Sequence, residues 1–263
     1  MRRLSDKGNL LPGIALVLGL TFAIFLSTMA GAKEGVFHVV EKGQTLFRIS
    51  LTYRVSMASL MEANRLASPS TLYVGQRLFI PGANAVLKVE PYRGLTRKER
   101  KEAERSLLSE DRPEAEFPKK LEASRRPLYD FIWPIVGPIN SPYGPRRGRL
   151  HTGIDIGSSR YQEVKATADG EVIYVRRSKK GLGNAVFVRH GEGFSSVYAH
   201  LSLIIVQEGE SVRQGQPIGG VGATGNVTGP HLHFEIRYKD RPVNPRDFLP
   251  LTLDELVEEL GRR

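Results

Sequence analysis

The chain has 263 residues, a formal net charge of +10 and no cysteine. Without a thiol it forms no disulfide, no thiolate metal site and no lipid-modified cysteine anchor, so any metal it holds is bound by histidine and carboxylate. The basic balance suits an anionic surface or polymer, but no basic stripe interleaved with aromatics occurs, so no nucleic acid is expected as a partner.

Arg2, Arg3 and Lys7 precede an apolar run from Leu10 to about Leu26, and Ala30-Gly31-Ala32 follows as a small-x-small pattern. Residues 1–32 are therefore expected to be a signal peptide cleaved after Ala32, or else an uncleaved membrane anchor. Either places the rest of the chain outside the cytoplasm, in the periplasm or the extracellular wall.

Residues 36–82 read as a small βααβ module. Val36–Val40 is a short strand, and Gly43-Gln44-Thr45-Leu46 turns into a helix capped by Thr45, with Leu46, Ile49 and Tyr53 inward. A second helix runs from about Val55 to Asn64, and Leu72–Pro81 forms a turn and a closing strand. His38 is expected on the strand surface. The segments His38–Leu46, with Ile49, Tyr53, Val55, Leu60 and Asn64, and Gly75-Gln76-x-Leu78-x-Ile80-Pro81, resemble a LysM domain. The resemblance implies binding to the N-acetylglucosamine-containing glycan of peptidoglycan or chitin. It places the groove between the first turn and the loop before the last strand, at Gly43, Gln44, Thr45, Leu46, Leu72 and Tyr73.

Residues 83–127 are charged and broken by Pro113, Pro118 and Pro127. They are expected to be a linker that gives reach between two domains, with a possible helix opening at the Thr96-Arg97-Lys98-Glu99 capping box. Residues 128–250 carry short β-rich runs separated by Gly, Pro and Asn, the pattern of an all-β domain. The expected strands are 131–135, 153–156, 171–176, 185–190, 195–202, 217–221 and 231–237. His190 is expected on the surface of a hairpin turn. Residues 251–263 have Leu253, Leu256, Val257 and Leu260 at helical spacing, for a terminal helix that docks on this domain or presents a partner face.

The chemistry centres on Pro230-His231-Leu232-His233-Phe234-Glu235-Ile236. Strand side chains alternate, so His231, His233 and Glu235 share one face while Leu232, Phe234 and Ile236 enter a core. His151 and Asp155 share a face of another extended segment. Two histidines and a carboxylate form a ligand set used for catalytic zinc, with one position left for water. Tyr198 and His200 alternate with Val197, Ala199 and Leu201 and form a further polar face. Glu235 is either an acceptor that orients a ligand or an exposed carboxylate. Arg146, Arg147 and Arg149 precede His151 and either guide an anionic wall peptide or solubilise a loop.

The segments Phe131-Ile132-Trp133-Pro134, Ser141-Pro142-Tyr143-Gly144-x-Arg146, His151-x-Gly153-Ile154-Asp155-Ile156, Ala168-Asp169-Gly170, Gly183-Asn184, Tyr198-Ala199-His200-Leu201 and Thr224–Glu235 resemble the LytM/lysostaphin-type zinc endopeptidases of bacterial cell walls. That resemblance implies an antiparallel β catalytic domain and a mainly β protein overall. It implies one Zn²⁺ per catalytic domain, bound by His151, Asp155 and His233, with His200 and His231 unligated beside it as base and transition-state stabiliser. No His-Glu-x-x-His helix supplies a general-base glutamate. The implied activity is cleavage of peptidoglycan cross-bridges, with the bond left open between glycine bridges and bridges of D-alanine to a diamino acid. The alternative is a non-catalytic envelope protein of the same fold that activates a cell-wall amidase. Such relatives have usually lost metal ligands, whereas here all three stand.

Overall fold

The computed structural model describes residues 34–94, 96–98, 100–101, 130–146, 148–252, 257 and 260. The expected export segment, most of the linker and most of the terminal helix lie outside the described residues.

The first module is a two-stranded antiparallel sheet, β1 (Gly35–Val39) and β2 (Arg77–Pro81), covered by helices α1 (Leu46–Tyr53) and α2 (Met57–Asn64). Thr45 caps α1 by accepting from the Arg48 N–H, and Ser56 caps α2 by accepting from the Ser59 N–H. Each helix ends at a residue in the left-handed region, Arg54 and Arg65. Leu46, Ile49 and Tyr53 recur at helical spacing and meet Val40, Leu60, Leu78 and Ile80 in one core. His38 departs from expectation: it is 4 % exposed. It shares the inward parity of Val40, so its ring sits under the helices, with Nδ1 3.0 Å from the Tyr53 hydroxyl and Nε2 2.7 Å from Gln44 Oε1. Those partners satisfy a buried imidazole that the strand pattern would otherwise leave wet.

In the second module every strand pairing is antiparallel, and a 3-10 turn at Pro245–Asp247 follows the last strand. Its strands are β3 (Ile139–Ser141), β4 (Gly144–Arg146), β5 (Arg149–His151), β6 (Ile154–Gly157), β7 (Glu163–Lys165), β8 (Gly170–Arg176), β9 (Asn184–Arg189), β10 (Phe194–Leu201), β11 (Leu203–Ile204), β12 (Ser211–Val212), β13 (Pro217–Gly220), β14 (His231–Tyr238) and β15 (Arg241–Val243). The main sheet runs β12-β8-β9-β10-β14-β6-β3, with β15 also on β14. A three-stranded sheet β11-β13-β7 and the hairpin β4-β5 complete it. One face of the main sheet holds the large core, including Ile154, Ile156, Tyr198, Leu232, Phe234 and Ile236. The opposite face holds a smaller cluster of Tyr174, Ala185, Phe187, Val197 and Ala199. Residues 131–135 do not form the expected strand. The Ile132 N–H bonds Thr167 O and the Lys165 N–H bonds Pro134 O, but Pro134 has no N–H with which to continue a ladder. His190 is likewise not on the surface. It is 1 % exposed, with Nδ1 2.7 Å from Asp169 O and Nε2 2.8 Å from Ser196 Oγ, and burial pushes its pKa down to about 4.

The modules are docked, which differs from the reach expected of the linker. Glu171 on β8 is 1 % exposed, and its carboxylate accepts from Arg48 Nε and Nη2, each at 3.1 Å, and from Thr45 Oγ1 at 3.0 Å. The Phe47 N–H donates to Ser211 Oγ at 3.2 Å. Tyr92 bridges the seam: its N–H donates to Gly43 O at 2.5 Å, and its ring lies where a Cβ on Gly209 would stand 2.8 Å away. Arg100 pairs with Glu208 through two contacts of 2.8 and 2.6 Å. A buried carboxylate stripped of its guanidinium is left desolvated and unpaired. Arg48→Ala should therefore lower the unfolding free energy by about 3 kcal/mol, read by urea denaturation; a loss below about 0.5 kcal/mol, the scale of an exposed pair, would show that this contact does not couple the modules.

Candidate metal centre

Three segments build the site. β14 sets His231, His233, Glu235 and Arg237 on one face, because Leu232, Phe234 and Ile236 are each fully buried on the other. β6 lies beside it with Asp155 opposite His233 in register. His151 ends β5 rather than sharing a single strand with Asp155. The chain turns at Gly153, where a Cβ would collide with the Phe234 carbonyl and lie 2.9 Å from Glu235 Cγ. Glycine at this position lets the two strands approach β14 closely enough for their side chains to meet.

His200 arrives by a route that strand alternation does not show. Tyr198 does not share its face: the Tyr198 ring is in the main core and its hydroxyl accepts from the Thr167 N–H at 2.8 Å. The β10–β9 register breaks between Tyr198 and Leu201, and His200 takes φ +63°. This bulge turns the His200 side chain away from the core, to ring-centroid distances of 4.9 Å from His231 and 5.9 Å from His233. A non-glycine residue in the left-handed region is strained by about 1–3 kcal/mol, a cost that the surrounding sheet must offset to hold the ring there.

The ligand atoms converge tightly. His151 Nε2 is 3.2 Å from Asp155 Oδ1 and 3.2 Å from His233 Nδ1, and His233 Nδ1 is 2.9 Å from Asp155 Oδ1. Among the described residues, His151, Asp155 and His233 form the group able to hold a metal ion. The outer nitrogens decide what these atoms offer. His151 Nδ1 is 2.7 Å from the Pro142 carbonyl, and His233 Nε2 is 3.0 Å from Glu235 Oε1. Both partners are acceptors, so each outer nitrogen carries its proton and each inner nitrogen is the one left to offer a lone pair to an ion. Two lone pairs and a carboxylate oxygen at this spacing repel unless a positive centre lies between them. Tetrahedral zinc, with bonds of about 2.0–2.2 Å, sets its ligand atoms about 3.3–3.6 Å apart, a few tenths of an ångström wider than is found here. The donor set thus fits a divalent ion.

The electrostatics agree. Burial raises the Asp155 carboxyl, but the hydrogen-bonded imidazoles of His151 and His233 outweigh it and hold it far below the usual carboxylate range. Burial works against a charged His233, yet Asp155 and Glu235 together push it up to about 9. Without an ion, then, a proton on His233 supplies the positive centre. Burial also opposes ionisation of Glu235, but the Arg237 guanidinium and His233 hold it down to about 2. Glu235 is 1 % exposed and accepts from Thr152 Oγ1 at 2.6 Å and Arg237 Nε at 2.6 Å, so of the two readings open for it the geometry matches the orienting acceptor. Arg237, 2 % exposed, is a member of the site that the motif alone does not mark, although it continues the same alternation two residues on.

His200 Nδ1 is 2.8 Å from Thr224 O and His231 Nδ1 is 3.0 Å from Gly229 O, which leaves both Nε2 atoms as acceptors. His231 Nε2 stands 3.7 Å from Asp155 Oδ1. Burial, followed by the nearby His233, lowers His200 to about 4, so it is neutral at neutral pH. All five residues line an open cleft of about 690 Å³, with Arg146, Arg149 and Arg176 on its walls. The expected glycan-contact residues lie elsewhere. Gln44 and Leu46 are buried, Thr45 caps α1 and bonds Glu171, Gly43 receives Tyr92, and Leu72 is half-buried. Tyr73 is 67 % exposed. The Gly75 N–H bonds Val40 O, which holds this loop beside the first turn.

Comparison with known proteins places this geometry. Residues 149–245 match the model of peptidase family M23, and residues 38–81 match that of the LysM domain. The uncharacterized lipoprotein YgeR of Escherichia coli (strain K12) is 31 % identical over 246 residues, spanning 90 % of this chain and 93 % of YgeR. The murein hydrolase activator NlpD of the same organism is 28 % identical over 264 residues, 84 % of this chain and 69 % of NlpD. The DD-carboxypeptidase/endopeptidase Mpg of Neisseria meningitidis serogroup B is 49 % identical over 113 residues, 41 % of this chain and 26 % of Mpg. The chain belongs to peptidase family M23, and carries a LysM domain ahead of its peptidase domain.

Proposed function

We propose that the protein is an exported zinc metalloendopeptidase of the cell envelope that hydrolyses peptide cross-bridges of peptidoglycan and is held to the wall by its LysM module. The observation that carries this reading is the complete set of three acceptor atoms within 2.9–3.2 Å of one another, backed by protonated outer nitrogens. Zinc bound there supplies Lewis acidity, both to solvent and to the scissile carbonyl. His151 and His233 hold the ion through nitrogens whose orientation is fixed by Pro142 and by the Glu235–Arg237 pair. His200 and His231 face the same space with bare Nε2 atoms. They accept the proton lost by the attacking solvent and return it to the leaving amine. On the LysM module, the exposed Tyr73 is the proposed glycan contact, because the first turn is engaged with Glu171 and Tyr92.

The likeness to NlpD across 84 % of this chain favours a second reading, an activator of a cell-wall amidase. The two readings part on one point: an activator needs no metal, and purified chain would not cut wall material by itself.

His233→Ala should reduce hydrolysis of purified wall to background and leave wall binding within about twofold, since β14 is separated by β9 and β10 from β8, whose Glu171 meets the LysM module. Undiminished hydrolysis would remove the site from the chemistry. Loading the metal-free chain with zinc at pH 7.5 should release about one proton, because His233 keeps its proton up to about pH 9 and the ion must displace it. Affinity should accordingly fall as pH falls. Calorimetry in buffers of differing ionisation enthalpy reads this release, and binding with no proton change would place the ion away from His233 Nδ1.

A further inference from the structure

We infer that Asn184 and Thr224 are positioning residues for His200, holding the bulge of β10 so that a bare Nε2 faces the metal centre; the inference rests on the peptidase reading above and deepens its proton-transfer side. In an unbroken strand His200 would follow Tyr198, two residues before it, into the large core. Tyr198 is fully buried there. The bulge instead turns His200 to the opposite face by giving it a left-handed backbone, a conformation that persists only where its surroundings hold it.

The bulge also leaves backbone groups for other partners to satisfy. The β10–β9 register is lost after the Tyr198–Val186 pair and resumes with Leu201 opposite Asn184. Leu201 is fully buried, so its carbonyl needs partners inside the protein. Two side chains supply them. Asn184 Nδ2 donates to Leu201 O at 3.1 Å, and Thr224 Oγ1 donates to the same oxygen at 2.9 Å. The Thr224 hydroxyl in turn accepts from the Asn184 N–H at 2.9 Å. The start of β9, the end of β10 and the segment before β14 are thereby tied at one point, directly after His200.

Thr224 acts a second time through its backbone. Its carbonyl accepts from His200 Nδ1 at 2.8 Å, which keeps the proton on that nitrogen and leaves Nε2 free to accept. The hydroxyl that ties Leu201 to Asn184 thus fixes the residue whose carbonyl orients the imidazole. Gly183, at φ +65°, allows this approach, since a Cβ there would collide with Thr224. Asn184 Oδ1 accepts from the Ser178 N–H at 3.1 Å, so the segment that joins β8 to β9 belongs to the same block. Neither Asn184 nor Thr224 lines the cleft, so both act through His200.

Thr224→Val keeps the shape of the side chain and removes the hydroxyl, whereas Thr224→Ser keeps the hydroxyl. On a soluble cross-linked peptide, with zinc-loaded full chain, Thr224→Val should lower kcat about 10²-fold, the scale of a misplaced reacting group. KM and bound zinc should not change, and Thr224→Ser should recover most of the rate. The metal-free chain gives a readout apart from turnover: long-range proton–nitrogen NMR, with the His200 signal assigned by its loss in His200→Gln. The wild type and Thr224→Ser should carry the proton on Nδ1, and Thr224→Val should show a mixture of tautomers. A merely structural role would lower the unfolding midpoint while leaving the tautomer and kcat of the folded protein unmoved; that result overturns the inference, as does an equal loss in the two variants. Should Thr224→Val fail to fold, Asn184→Ala removes one of the two donors to Leu201 O, and an unchanged tautomer and kcat in it overturns the inference as well. If the wild-type chain cleaves nothing, the peptidase reading falls, and the tautomer still decides whether Asn184 and Thr224 set the His200 ring.

Discussion

Three acceptor atoms from three chain segments are pressed together with one positive centre's worth of space between them, and much of the architecture exists to keep them there. His151 Nε2, Asp155 Oδ1 and His233 Nδ1 lie within 2.9–3.2 Å of one another. A proton relieves their repulsion when no ion is bound, and a divalent cation relieves it better. The fully buried Leu232, Phe234 and Ile236 lock β14 so that its other face cannot rotate away. Glu235 and Arg237 continue that face inward and turn a buried carboxylate into a fixed acceptor for His233. Glu235 has no exit to solvent, so losing Arg237 would leave an uncompensated charge directly behind a metal-ligand candidate.

Docking of the LysM module gives the protein a second organising contact. Glu171 reaches out of β8, next to the edge strand β12, into the capped start of α1, and its partners are Arg48 and Thr45. Thr45 thus caps α1 and also bonds Glu171. Such a contact fixes the direction from which a wall-bound module presents the peptidase cleft, where a free linker would leave it to diffusion. It also turns the first turn of the LysM module toward the peptidase domain and leaves the Leu72–Tyr73 loop exposed.

The sequence showed most clearly what depends on strict alternation or on local caps. The face of β14, the helix start at Thr45 and the strands β8, β9, β10, β13 and β14 are legible because each is written within ten residues of chain. Alternation pairs His200 with Tyr198, but a bulge inverts parity and no local residue announces it. A histidine on a short strand looks wet, yet His38 and His190 are both buried against partners 6 to 21 residues away. The β4–β5 hairpin was missed since Gly-Pro-Arg-Arg-Gly-Arg-Leu has no apolar alternation, and its place depends on His151 being drawn to Asp155. The Glu171–Arg48 pair spans 123 residues, a separation that composition and periodicity do not encode.

X-ray absorption at the zinc edge, on full chain reconstituted with one equivalent of the metal, tests the central claim most directly. The account expects a shell of nitrogen and oxygen at about 2.0–2.1 Å, with outer-shell scattering from two imidazoles that drops to one in His233→Ala. A spectrum without imidazole scattering, or one that His233→Ala leaves unchanged, would contradict it.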